Sequence, residues 1–265
     1  MAHFIYPNAN LYNNDPVGGQ RTGGTDDFAA NTDVTNPERA GDLSIATALT
    51  MPQFKAIRFD MDSTITAIDA VAVYSSTANT HDVHFFNSSS ATTNAFGSGD
   101  ANFITGSSFP DLTVGWNVKT GLSTTSGGAT ANQRYFYFYG NHASGQSAVT
   151  EVIIGNKLDL TNVTLSGSEG KSFGNDVVTS YGGIEFSNLR HEGKRFYNFD
   201  LNHVNETYKT NLETMRDAVR GSHYKFLYYD DSTYHYVRMS KDSLQFKEVA
   251  VGVYDTKISL VEQLS

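Results

Sequence analysis

Residues 195–221 read RFYNFDLNHVNETYKTNLETMRDAVRG, and the rest of the chain is read outward from them. Tyr208, Leu212, Met215 and Val219 recur at i, i+4, i+7 and i+11, one face of a 3.6-residue period, while Lys209, Glu213, Arg216 and Arg220 point away. The pattern predicts an amphipathic helix with those four apolar residues as its core face. Asn205 is placed to cap the first turn and Glu206 suits the positive N-terminal end. Arg216 and Arg220 suit the negative C-terminal end, and Gly221 can take the left-handed conformation that stops the helix.

On both sides of this helix the pattern changes to period two. GGIEFS and KRFYNFDL precede it as strands, and YKFLYYD, TYHYVRMS, LQFKEVAV and YDTKISLVEQL follow it as antiparallel strand candidates. The C-terminal part is therefore expected to be an α+β module with one helix packed on an antiparallel sheet. Further upstream, FKAIRFDM puts Ile57, Phe59 and Met61 on one face. The runs ITAIDAVAVYSS, VHFFN, NFIT, LTVGWNVK, RYFYFYG and VTEVIIGNKL follow, separated by polar loops. Short alternating strands at this spacing predict a β-sandwich or barrel. With 15 Tyr and 17 Phe against one Trp, composition also favours strands over bundles.

At 265 residues the chain suits two domains, and 39% hydrophobic residues can build cores without metal or disulfide staples. The net charge of -9 opposes nonspecific contact with nucleic-acid phosphates, so nucleic acid is not an expected partner. The absence of cysteine excludes disulfides, thiol catalysis and Cys-based zinc sites. No apolar run approaches the roughly 20 residues that span a bilayer, and the N-terminus does not read as a signal peptide. Residues 8–38 are mostly Asn, Gly, Thr and Asp and read as an extended arm. Residues 1–160 carry 14 Asp/Glu against 7 Lys/Arg and the remainder 14 against 12, which supports a domain boundary. The expected divisions are arm and loops at 1–39, a sandwich at 40–163, a linker at 164–176 and the α+β module at 177–265.

Four stretches invite a chemical reading. FDMDSTIT (59–66) has the DxDST pattern with which haloacid-dehalogenase-type phosphatases present a nucleophilic and an acid/base carboxylate, here Asp60 and Asp62. That chemistry needs a parallel sheet wound with helices, whereas the flanks offer strand after strand, so a solvated hairpin turn is expected instead. GSEGKS (167–172) resembles a phosphate loop, but Leu165 stands where a glycine is required and no helix follows. His81 and His84 sit at i and i+3 of a strand-like run and face opposite sides. In RYFYFY (134–139) alternate rings must be core, against a reading as a sugar platform. For metals, Asp60 and Asp62 are the weak candidates. Calcium is the ion that these and the loop carboxylates Asp26, Asp27 and Asp33 could hold, although no twelve-residue calcium loop is present.

Two longer segments carry a resemblance. IRFDMDSTITAIDAVAVYSS (57–76) followed by NQRYFYFYGNHASGQSAVTEVIIGNKL (132–158) resembles the galactose-binding-like, discoidin-type sandwich. Residues 182–265, from GGIEFS through the helix and YHYVRM to the closing LVEQL, look like the distal-tail or tail-hub module of tailed bacteriophages. The resemblance implies a mainly β protein: an N-terminal jelly-roll-type β-sandwich followed by a smaller α+β assembly module. It implies a structural virion protein rather than an enzyme, with no cofactor, assembled in the host cytoplasm. Its implied partners are further copies of itself in a ring-like homo-oligomer, other virion tail proteins and a host-surface glycan. The alternative is a carbohydrate-binding module acting through loops around 13–27, 76–81 and 141–146. An Asp60 phosphatase is the third reading.

Overall fold

The computed structural model describes residues 1–22, 27–52, 54–65, 68–78, 82–92, 95–96, 103–122, 133–140, 146–160 and 164–263. The protein is mainly β, with one α-helix among the described residues. It divides into two compact units, Ile5–Lys157 and Met1–Phe4 with Leu158–Leu264.

The first unit is a sandwich. Its strands are β1 (His3–Pro7, from Ile5 on), β2 (Val17–Arg21), β3 (Phe28–Ala30), β4 (Leu49–Pro52), β5 (Lys55–Ile65), β6 (Ala70–Ser75), β7 (Val83–Ser88), β8 (Gly115–Thr120), β9 (Gln133–Gly140) and β10 (Gln146–Asp159, up to Lys157). One sheet runs β3-β2-β5-β9-β7, all antiparallel. In the other, β10 pairs antiparallel with β4 and β6, and β6 with β8. Alternation decides what lies between the sheets: Ile57, Phe59 and Met61 of β5 and Phe136 and Phe138 of β9 meet Val71, Val73, Val152 and Ile154, all essentially inaccessible to water.

The opposite face of the β5–β9 sheet is covered too. Tyr137 and Tyr139 pack there with Phe28, Phe86 and Phe96, and Tyr137 Oη donates to the Ser90 carbonyl at 2.8 Å. Residues 136–139 are thus buried on both faces. Burial raises the pKa of the Tyr137 phenol well above its ordinary value.

The second unit carries β11 (Thr164–Thr179), β12 (Glu185–Asn205), the helix α1 (Glu206–Ala218), β13 (Phe226–Tyr229), β14 (Tyr234–Met239), β15 (Phe246–Ala250) and β16 (Val253–Glu262). The strand order is β11-β12-β16-β14-β13, with β15 also on β16. The helix packs against β12 and β16. Asn205 caps it, its side chain accepting the Tyr208 N–H at 2.8 Å, and Gly221 lies past its end at φ +64° with its N–H on the Arg216 carbonyl. Leu212, Met215 and Val219 are fully buried. Tyr208 is half-buried, with its hydroxyl on the Asp159 carbonyl at 2.9 Å.

Two of the expected divisions are corrected. Residues 1–39 are not an arm: they contain β1, β2 and β3, and Phe28 and Val34 are buried plugs. Phe4 belongs to the second unit and packs there edge-on to Phe226 at 5.5 Å and to Phe199 at 6.2 Å. Residues 164–176 are not a linker but most of β11, which pairs with β12 along its length. In both cases a polar Gly/Asn/Ser/Thr composition looks like loop yet forms strand. Backbone hydrogen bonds to a distant strand do not depend on that composition.

Candidate functional site

The feature that calls for a function is the β11–β12 ribbon. β11 pairs with β12 from Thr164↔Asn202 to Thr179↔Glu185, whereas β16 covers β12 only from Phe196 onward. The ribbon therefore continues past the sheet by about ten residues per strand, roughly 30 Å at 3.3 Å per residue. At its end Ser180 and Ile184 close a turn, the Ser180 N–H donating to the Ile184 carbonyl at 2.8 Å.

The side chains on this extension are the wrong kind for a solvated hairpin. Val178 sits opposite Phe186 on one face, and Val177 and Leu189 lie on the other. Their exposures run from 50% to 64%. At the turn Ile184 is also well exposed and Tyr181 is exposed completely. An isolated two-stranded ribbon is marginal in water, and contiguous exposed apolar groups mark interaction surfaces. Sequence reading missed this surface because it placed 164–176 in a linker. The available signal was SFGNDVV followed by GGIEFSNL, two short apolar runs around a Gly-Gly turn.

Asp60 and Asp62 occupy another setting. Asp60 pairs with Tyr135 across β5 and β9 and the next pair is Ile65 with Gln133, so residues 61–64 bulge opposite Arg134 alone. Asp62 takes φ 60° there. Arg134 grips Asp60 with two bonds, Nε to Oδ1 at 2.6 Å and a terminal nitrogen to Oδ2 at 2.8 Å. The Asp62 N–H donates to Asp60 Oδ1 at 2.9 Å, and Asn14 Nδ2 donates to Asp62 Oδ1 at 2.7 Å. This corrects the expected hairpin turn: the DxD segment is a bulge within a strand, held by an arginine on the neighbouring strand. The sheet around it is antiparallel, and the Asp60 carboxylate is committed to Arg134.

A second polar cluster lies around His235. The His235 ring is nearly buried, with Nε2 2.7 Å from Asp230 Oδ2 and Nδ1 3.5 Å from Glu262 Oε1. A carboxylate at each ring nitrogen leaves neither for a substrate, so the cluster ties β14 to its preceding turn and to β16. Burial works to raise the Asp230 pKa, but hydrogen bonds from His235, Ser232 and the Thr233 and Ser232 N–H groups outweigh it and hold the carboxyl well below its usual range. The Arg134 bonds do the same for Asp60.

Both carboxyls therefore bind protons less readily folded than unfolded. Their stabilisation is full above the ordinary aspartate value of 3.8 and is lost as pH falls through the lower folded values. Urea midpoints measured from pH 6 to pH 2 are expected to fall for the wild type. They should fall less for Arg134→Gln and for His235→Asn. An acid slope in either variant equal to wild type would remove that pair from the account.

The remaining candidates are scattered. His84 pairs with Asp82 at 2.9 Å, Asp33 with Lys55 at 2.6 Å, and 167–172 is strand. His81, Asp26 and residues 141–145 lie outside the described residues. Among the described residues no three His, Asp or Glu side chains are gathered as a metal ligand set, and no helix is long and apolar enough to cross a membrane. Comparison of the chain with protein-family models, curated proteins and solved structures finds no match.

Proposed function

We propose that this chain is a structural subunit of a tailed-phage virion that assembles as a ring in the tail or head-tail region. The unit bearing α1 and the ribbon makes the ring. The sandwich loops are left for other tail proteins or the host surface. The observation that supports this reading is the β11–β12 ribbon, whose two faces and turn expose Val177, Val178, Tyr181, Ile184, Phe186 and Leu189. One apolar face would suit folding back onto the same chain. Two apolar faces suit insertion between neighbouring subunits, and a head-to-tail contact that closes gives a ring.

The test is light-scattering mass across a concentration series, with negative-stain images of the same fractions. Closed rings are expected. The double variant Val178→Thr/Phe186→Thr should stay monomeric, with stability within about 0.5 kcal/mol of wild type because both sites are exposed and a Thr–Thr pair suits a strand. A wild type that is monomeric at every concentration overturns self-assembly.

A further inference from the structure

The second unit also holds a groove with lysines and an aromatic ring in its lining. It measures about 620 Å³ and is lined by Asp200, Lys241, Phe246, Lys247, Asp255 and Lys257 among others. Lys257 is paired with Asp200 at 2.9 Å, and Asp255 accepts the His203 N–H at 3.0 Å. Lys241 and Lys247 are exposed and form no ion pair among the described residues. Phe246 is half-buried there and supplies an apolar wall. Across residues 174–189 the ribbon carries Asp176 and Glu185 and no Lys or Arg. Its turn presents Tyr181 and Ile184, a large ring and a branched aliphatic group of the kind that anchors interfaces.

Resting on the ring reading, we infer that the groove beside β15 receives the ribbon tip of a second copy of this chain. Tyr181 and Ile184 enter against Phe246, and Glu185 meets Lys241 and Lys247. The occupant is a second copy because the tip supplies both properties the groove asks for, apolar bulk and negative charge. Among the described residues β15 pairs with β16 alone and is a short edge strand carrying Lys247 and Glu248, and such charges disfavour indiscriminate strand pairing.

The test mixes two defective chains. One carries Tyr181→Asp/Ile184→Asp and keeps its groove; the other carries Lys241→Glu/Lys247→Glu and keeps its ribbon. Each alone should require at least about 30-fold more protein to associate than wild type, the effect of losing one interface hot spot. Mixed in equal amounts they should form a complex of twice the monomer mass that grows no further, since one intact ribbon meets one intact groove. Adding Glu185→Lys to the Lys241→Glu/Lys247→Glu chain should restore rings. Rings formed as readily by the groove variant as by wild type, or a mixture that stays monomeric, overturn the groove assignment while the ring reading stands. A monomeric wild type instead removes the ring reading on which it rests.

Discussion

Gly155→Ala is expected to destabilise the sandwich by about 3 kcal/mol, the upper end for overpacking a filled interior. Gly155 lies on β10 where residues 6–8 pass close by, and the Asn8 N–H donates to the Ile154 carbonyl at 2.9 Å. A Cβ at 155 would overlap the Tyr6 carbonyl oxygen and stand 2.8 Å from the Asn8 nitrogen and the Pro7 carbonyl carbon. All three are backbone atoms, so no rotamer change relieves the clash; a strand must move, and with it the hydrogen bond. Urea unfolding of the variant beside wild type reads the effect directly. A change within about 0.5 kcal/mol would mean that the two backbones are not in close approach.

Met215→Ala should cost about as much, 2–5 kcal/mol, by a different route. Met215 is fully buried between Leu212 and Val219 on the face by which α1 packs on β12 and β16, so truncation leaves a cavity in a spot with few ways to collapse. Thr214→Ala, one position away on an exposed face, is the control and should stay within about 0.5 kcal/mol. Equal costs at 214 and 215 would put the helix in the wrong rotation about its axis.

These two sites differ in how far the sequence reveals them. Met215 is legible because helical periodicity is a local property: four apolar residues at the right spacing announce a buried face whatever lies beneath it. Gly155 is only a glycine in a strand until the chain passing over it is known. The DxD segment shows the same limit. Its residues were visible, but the Arg134 that holds Asp60 lies 74 positions away, and a hairpin turn and a bulge look alike from one strand.

What the sequence by itself determined is the mainly β class, the helix with its Asn205 cap, and the inward face of β5. Each follows from periodicity or capping within a few neighbouring residues. Only the tertiary structure decided that residues 164–176 form a strand, that Tyr137 and Tyr139 are as buried as Phe136 and Phe138, and that the ribbon keeps its apolar residues in water. Strand pairing is made by backbone groups that every residue carries, so it leaves little mark on composition. Whether an apolar side chain ends up covered depends on what the rest of the chain brings over it, and among the described residues β16 pairs with β12 only from Phe196 onward.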